Sequence, residues 1–86
     1  MGMAIKRVAR SPLHEEFGRR IKARRTALGL SQEAFAEKSG IARAYVGQVE
    51  TGMRNVSLNN IARLAVALET DLAKLMKGLQ EFEGQP

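Results

Sequence analysis

The stretch LSQEAFAEKSGIARAYVGQVETGMR, residues 30–54, decides how this chain folds. Ser31 is a hydroxyl N-cap, and Gln32, Glu33 and Ala34 make the first turn of the helix that it opens. Gly40 stands where that helix must stop and the backbone needs a positive φ, which glycine adopts without a Cβ penalty. A second helix runs over residues 43–51 and is closed by Gly52, with only Ser39-Gly40-Ile41 as the turn between the two. Two short helices set at a steep angle across such a turn form a helix-turn-helix, whose second helix is the one offered to a DNA groove.

The flanking segments read as helices that would pack behind this unit. Upstream, Ser11-Pro12 is a cap followed by proline at the first helical position. Leu13, Phe17, Ile21 and Leu28 then share one face, and Gly29 ends the helix. Glu15 and Glu16 in its first turn and Arg24 and Arg25 in its last suit the helix dipole. Downstream, Ser57 caps a fourth helix with a wide apolar face of Leu58, Ile61, Ala62, Leu64, Ala65 and Leu68. Asp71 caps a short fifth helix carrying Leu72, Leu75 and Met76. At Gly78 two readings stand open: the helix ends there, or it runs on and adds Leu79 and Phe82 to the same stripe. The expected fold is all-α and compact, with five helices. Residues 1–10 form a flexible basic arm, 11–78 the helix-turn-helix domain, and 79–86 a tail.

Eighty-six residues suffice for one small domain, and the absence of cysteine removes disulfides and thiolate metal sites as props. The net charge is +5. Residues 1–25 carry +6, and residues 26–86 carry −1. Basic character concentrated in the arm and first helix points to a polyanionic partner, with a plain solvated face as the other reading. No run approaches ~18 consecutive apolar residues and no apolar leader precedes the first helix, so no membrane partner and a cytoplasmic location are expected. His14 has no companion cysteine or second histidine, Glu15 and Glu16 point apart, and there is no phosphate-binding glycine loop. Neither a metal, a cofactor nor catalysis is expected.

The chain resembles the Xre-type helix-turn-helix regulators, the family of the phage repressors. The matching residues are Arg25, the run 28–33 (LGLSQE), the run 35–41 (FAEKSGI), then Val46, Gln48, Val49, Glu50 and Gly52. The runs 54–58 (RNVSL), 60–61 (NI) and 64–68 (LAVAL) complete a likeness that covers residues 14–76. Within the family, residues 43–47 (RAYVG) and 54–57 (RNVS) look most like the controller proteins of restriction–modification systems. The resemblance implies a phage-repressor-like domain that acts as a dimeric autoregulator on near-palindromic operator DNA. Four features depart from the pattern. Ala42 stands where Ser or Thr usually caps the recognition helix, and Ala44 where a polar base reader is common. Glu69-Thr70 replaces a glycine and an aliphatic residue after the fourth helix, and the tail beyond Met76 is long.

These readings assign roles. Arg43, Ala44 and Gln48 lie on the outward face of the third helix as the base-reading set. The guanidinium fork of Arg43 matches guanine O6 and N7, with a solvated helix-start arginine or a phosphate contact as the other readings, while Gln48 reads adenine, bridges through water or packs locally. Gln32, Tyr45, Thr51, Arg54 and Asn55 are the expected phosphate contacts, with ring packing open for Tyr45 and a mere turn role open for Asn55. Gly47 implies either a neighbouring backbone or close approach of DNA. By resemblance, Arg25 and Glu50 form a structural ion pair behind the DNA face. Leu72, Met76, Leu79 and Phe82 are the expected dimer surface. A second reading is a protein-interaction module of the antitoxin kind, whose apolar stripe neutralises a partner protein.

Overall fold

The computed structural model describes residues 10–85, so the expected arm lies outside the described residues except for Arg10. Five helices follow in order: α1 Pro12–Ala27, α2 Gln32–Ser39, α3 Arg43–Glu50, α4 Leu58–Ala67 and α5 Leu72–Met76. A short 3-10 turn, Leu79–Phe82, comes after them, and no strand occurs among the described residues. Four helices start as their caps dictate. Ser11, Ser31, Ser57 and Asp71 accept from the backbone N–H of His14, Ala34, Asn60 and Lys74. Each such cap contributes ~1 kcal/mol. The exception is α3, which begins after Ala42 with no side-chain cap.

Phe17 and Ile21 of α1, Phe35 of α2, Val46 and Val49 of α3, and Leu64, Ala65 and Leu68 of the α4 region close one core. Where α1 crosses α3, Gly18 replaces the bulk of a side chain with contact. A Cβ at that position would lie 2.3 Å from the Val49 carbonyl oxygen and 2.8 Å from that of Glu50. The two helices thus meet backbone to backbone, which fixes how α3 is presented. Nothing in the apolar periodicity singled out Gly18.

Expectations change for Leu58 and Leu79, and the alternative left open at Gly78 is decided. Leu58, assigned to the apolar face of α4, is 73% exposed. It occupies the first turn of a helix that packs on α2 and α5 through its later residues, and Val56 just before the cap packs against the core instead. Helix α5 stops at Met76, and Gly78 at φ 72° turns the chain back so that the 3-10 turn packs on α1. Leu79 is consequently 5% exposed and part of the core, not of a partner surface. Phe82 is half-buried against the same core, whereas Leu72 and Met76 remain 37% and 36% exposed.

The basic residues of α1 are largely engaged inside the molecule. Arg20 Nη1 donates to the carbonyls of Leu75 (3.1 Å) and Lys77 (2.6 Å), at the end of α5. Arg24 donates to the carbonyls of Leu68 (2.9 Å) and Glu69 (3.2 Å), at the end of α4. These are the orphan acceptors that every helix leaves at its C-terminus. Arg19 and Arg20 also hold Glu16 at 2.8 and 2.9 Å. Much of the charge that suggested a polyanion-binding face is therefore structural.

Candidate nucleic-acid interface

Helix α3 turns Val46, Val49 and Glu50 inward, which leaves Arg43, Ala44 and Gln48 exposed on its opposite face. Arg43 sits with its Nε 3.4 Å from a carboxylate oxygen of Glu33, on the first turn of α2. Gln48 Oε1 accepts a hydrogen bond from Arg54 Nε at 2.7 Å. The Arg54 guanidinium in turn lies over the Tyr45 ring, 4.8 Å from its centroid, in a cation–π arrangement. Gln48, Arg54 and Tyr45, assigned separately as base reader and phosphate contacts, thus form one connected group on one face.

Behind that face lies a buried brace. Arg25 donates from Nε to Glu50 Oε2 at 2.6 Å and from Nη2 to Glu50 Oε1 at 3.0 Å, a two-pronged pairing of planar groups. Its Nη1 donates to the Leu30 carbonyl at 2.8 Å, tying the start of the helix-turn-helix to α1. Hydrogen bonding to Glu50 raises the pKa of Arg25 above its ordinary value, against the opposing effect of burial.

The brace also claims a residue expected elsewhere. Gln32 Nε2 donates to Glu50 Oε1 at 3.0 Å, so its side chain completes the ion pair rather than standing free for a phosphate. A buried carboxylate has lone pairs beyond the two that the arginine fork takes, and Gln32 fills one. Thr51 is similarly occupied, its hydroxyl donating to the carbonyls of Gly47 and Gln48 at 3.2 Å each. That bond must be given up before the hydroxyl can donate to a phosphate. Asn55 Oδ1 lies 3.5 Å from His14 Nε2, which ties the loop after α3 to the start of α1. Gly52 packs against Glu15 there, and Arg10 Nη1 comes within 3.6 Å of the Met53 sulfur.

Gly47 resolves one of the alternatives left by the sequence. A Cβ built on it meets nothing within 4 Å, so no neighbouring backbone explains the glycine. Among the described residues, no group of three His, Cys, Asp or Glu could hold a metal ion, and no helix is long and apolar enough to cross a membrane.

A helix-turn-helix family model matches residues 21–75, which include α2, α3 and the brace. The chain belongs to the Xre-type helix-turn-helix family. It is similar to the control protein C.SmaI of Serratia marcescens, with 39% identity over 74 residues that span 84% of this chain and 88% of that one. Among solved structures it is similar to the restriction-modification controller protein C.AhdI from Aeromonas hydrophila. That match has a TM-score of 0.69 and 54% identity, over 71% of this chain and 92% of that one. A structure of the biofilm regulator SinR in complex with DNA matches with a TM-score of 0.68 and 29% identity, over 71% of this chain and 98% of that one. Family membership makes this chain a DNA-binding transcriptional regulator. The relatives just described are regulators, and the antitoxin-like reading gains nothing from them.

Proposed function

We propose that this regulator binds double-stranded DNA sequence-specifically, as a homodimer on a near-palindromic operator, and controls its own expression in the manner of the restriction–modification controllers it resembles. The observation that carries the reading is the outward cluster of α3, with Arg43, Ala44 and Gln48 exposed together and Arg54 fastened beside them. In the major groove Arg43 pairs with guanine O6 and N7, Gln48 offers its amide to a base edge, and Ala44 meets a thymine methyl. Arg54, Tyr45, Asn55 and Thr51 supply phosphate contacts along the flank, Thr51 after releasing a helix carbonyl. The exposed Leu72 and Met76, with Leu58 and Val66 on α4, support a two-fold partner surface. Two copies so joined present recognition helices ~34 Å apart, one turn of duplex.

Selection of bound sequences from a random duplex pool tests the proposal directly. The expected product is a pair of inverted half-sites. On that operator Arg43→Ala relaxes preference at one position per half-site, by ~1–3 kcal/mol. Arg54→Ala weakens every duplex and lowers the salt slope by about one per subunit. A pool that yields no enriched sequence, or an Arg43→Ala variant that discriminates as well as the parent, refutes it.

A further inference from the structure

Glu33 is an unexpected residue to find beside the reading face. Its side chain is 72% exposed, and it projects from the first turn of α2 toward Arg43. The outward residues of α3 and of the loop after it are cationic or neutral, Arg43, Ala44, Gln48 and Arg54, whereas Glu33 and, one turn further along α2, the exposed Glu37 are acidic. A carboxylate here faces the phosphates of any duplex docked on α3 and lowers affinity for all of them alike. A negative charge in the first turn does favour α2 through the helix dipole, but that benefit is available to either acidic residue. What the glutamate adds is reach. Its Oε2 lies 3.4 Å from Arg43 Nε, on the inner edge of the guanidinium. An arginine restrained from that edge keeps both terminal nitrogens free and parallel, as the bidentate pairing with guanine requires.

We infer that Glu33 is a positioning residue for base readout: it orients Arg43 for guanine, at the expense of general affinity for DNA. The inference rests on the proposed reading of α3 as the base-reading helix. In water an exposed ion pair of this kind contributes little to folding. Once docking excludes water from the groove, the same pair strengthens, because the local dielectric falls. Glu33 therefore acts mainly in the bound state. It also penalises complexes in which Arg43 finds no guanine, since the carboxylate then meets the polyanion without a base contact to offset it.

The test uses the full chain and the operator enriched by the parent protein. Parent, Glu33→Gln and Glu33→Asp are compared on that operator, on duplexes altered at the base that Arg43→Ala no longer discriminates, and on random duplex, each at two salt concentrations. For Glu33→Gln, random-duplex affinity rises about threefold to tenfold and the salt slope steepens by up to about one per subunit. Preference at the Arg43 base falls roughly tenfold, while preferences at other positions stay unchanged. Glu33→Asp keeps the charge and the dipole interaction but is one methylene short of Arg43. It binds random duplex as the parent does and still loses the base preference. Two outcomes overturn the inference: Glu33→Gln raising affinity for operator and altered duplexes by one common factor, or Glu33→Asp retaining the full preference. Failure of the parent to enrich any sequence overturns the DNA-readout proposal instead, so the two failures are separable.

Discussion

The Arg25–Glu50 pair shows how one side chain can serve function without touching a ligand. Both groups are buried, and the pairing ties α1 to the end of the recognition helix. Arg25→Ala leaves Glu50 buried with only Gln32 as a partner, at a cost on the order of 3 kcal/mol. Denaturant unfolding should show that loss, and operator binding should recover at protein concentrations and temperatures where the variant is folded. A second residue-scale effect follows from Glu16. Hydrogen bonds from Arg19 and Arg20 hold its carboxyl down to about 2, from an ordinary 4.5. A depressed carboxyl stabilises the fold fully above pH 4.5, and that contribution is lost as pH falls toward 2. Glu16→Gln should therefore be less stable than the parent at neutral pH, with the difference narrowing as acid is added. A constant difference across that window would contradict this assignment. At this scale the sequence was only partly legible. The resemblance points to Arg25 and Glu50, but the partners that hold Gln32 and Thr51 in the free protein are set by tertiary packing and local carbonyl geometry, which residue type does not reveal. Residue type says what a side chain can bond; it does not say which acceptor arrives first.

At the scale of elements, two glycines inside helices have opposite explanations. Gly18 has the backbone of α3 pressed against it, whereas the space at Gly47 is open. Gly18→Ala must push α1 and α3 apart, which costs about 3 kcal/mol. Gly47→Ala meets no obstacle in the free protein and should gain up to about 1 kcal/mol from helix propensity. Thermal or chemical unfolding of the two variants separates them by sign. If both destabilise, the open space at Gly47 is misjudged. The helix starts were legible because a cap is a local event, written in a serine or aspartate and the turn that follows it. Gly18 was missed for the converse reason: a helix crossing joins residues far apart in the chain. Glu69 was legible in outline, since it stands where a glycine is common. It adopts φ 57°, the one positive value at a non-glycine among the described residues. Lys38 pairs with it at 2.8 Å across from α2, an exposed contact too weak to explain that backbone geometry by itself.

For the whole molecule, the distribution of charge and apolar surface bears on the proposal that two copies share one operator. The excess of positive charge near the N-terminus suggests a polyanion-binding face, yet Arg20, Arg24 and Arg25 are directed into the fold. That leaves α3 and its neighbouring loop as the described surface best formed for DNA. The apolar stripe at the C-terminal end reads as more than a small monomer needs, yet Leu75 and Leu79 belong to the core and Phe82 packs against it. The turn at Gly78 sends Leu79 into the core and leaves Leu72 and Met76 outside. This division makes the dimer proposal testable without unfolding the domain. Leu72→Glu with Met76→Glu places charges on residues already more than a third exposed, so the monomer should stay folded, with a thermal midpoint that no longer depends on protein concentration. Sedimentation should show one chain where the parent shows two. Operator affinity should fall by roughly 100-fold or more, because linked half-site binding is lost, while affinity for an isolated half-site stays near that of a single parent subunit. Leu79→Glu buries a charge in the core and should unfold the chain instead. A doubly charged variant that still sediments as a dimer would place the partner surface elsewhere, and Leu58 and Val66 on α4 would be the next residues to charge.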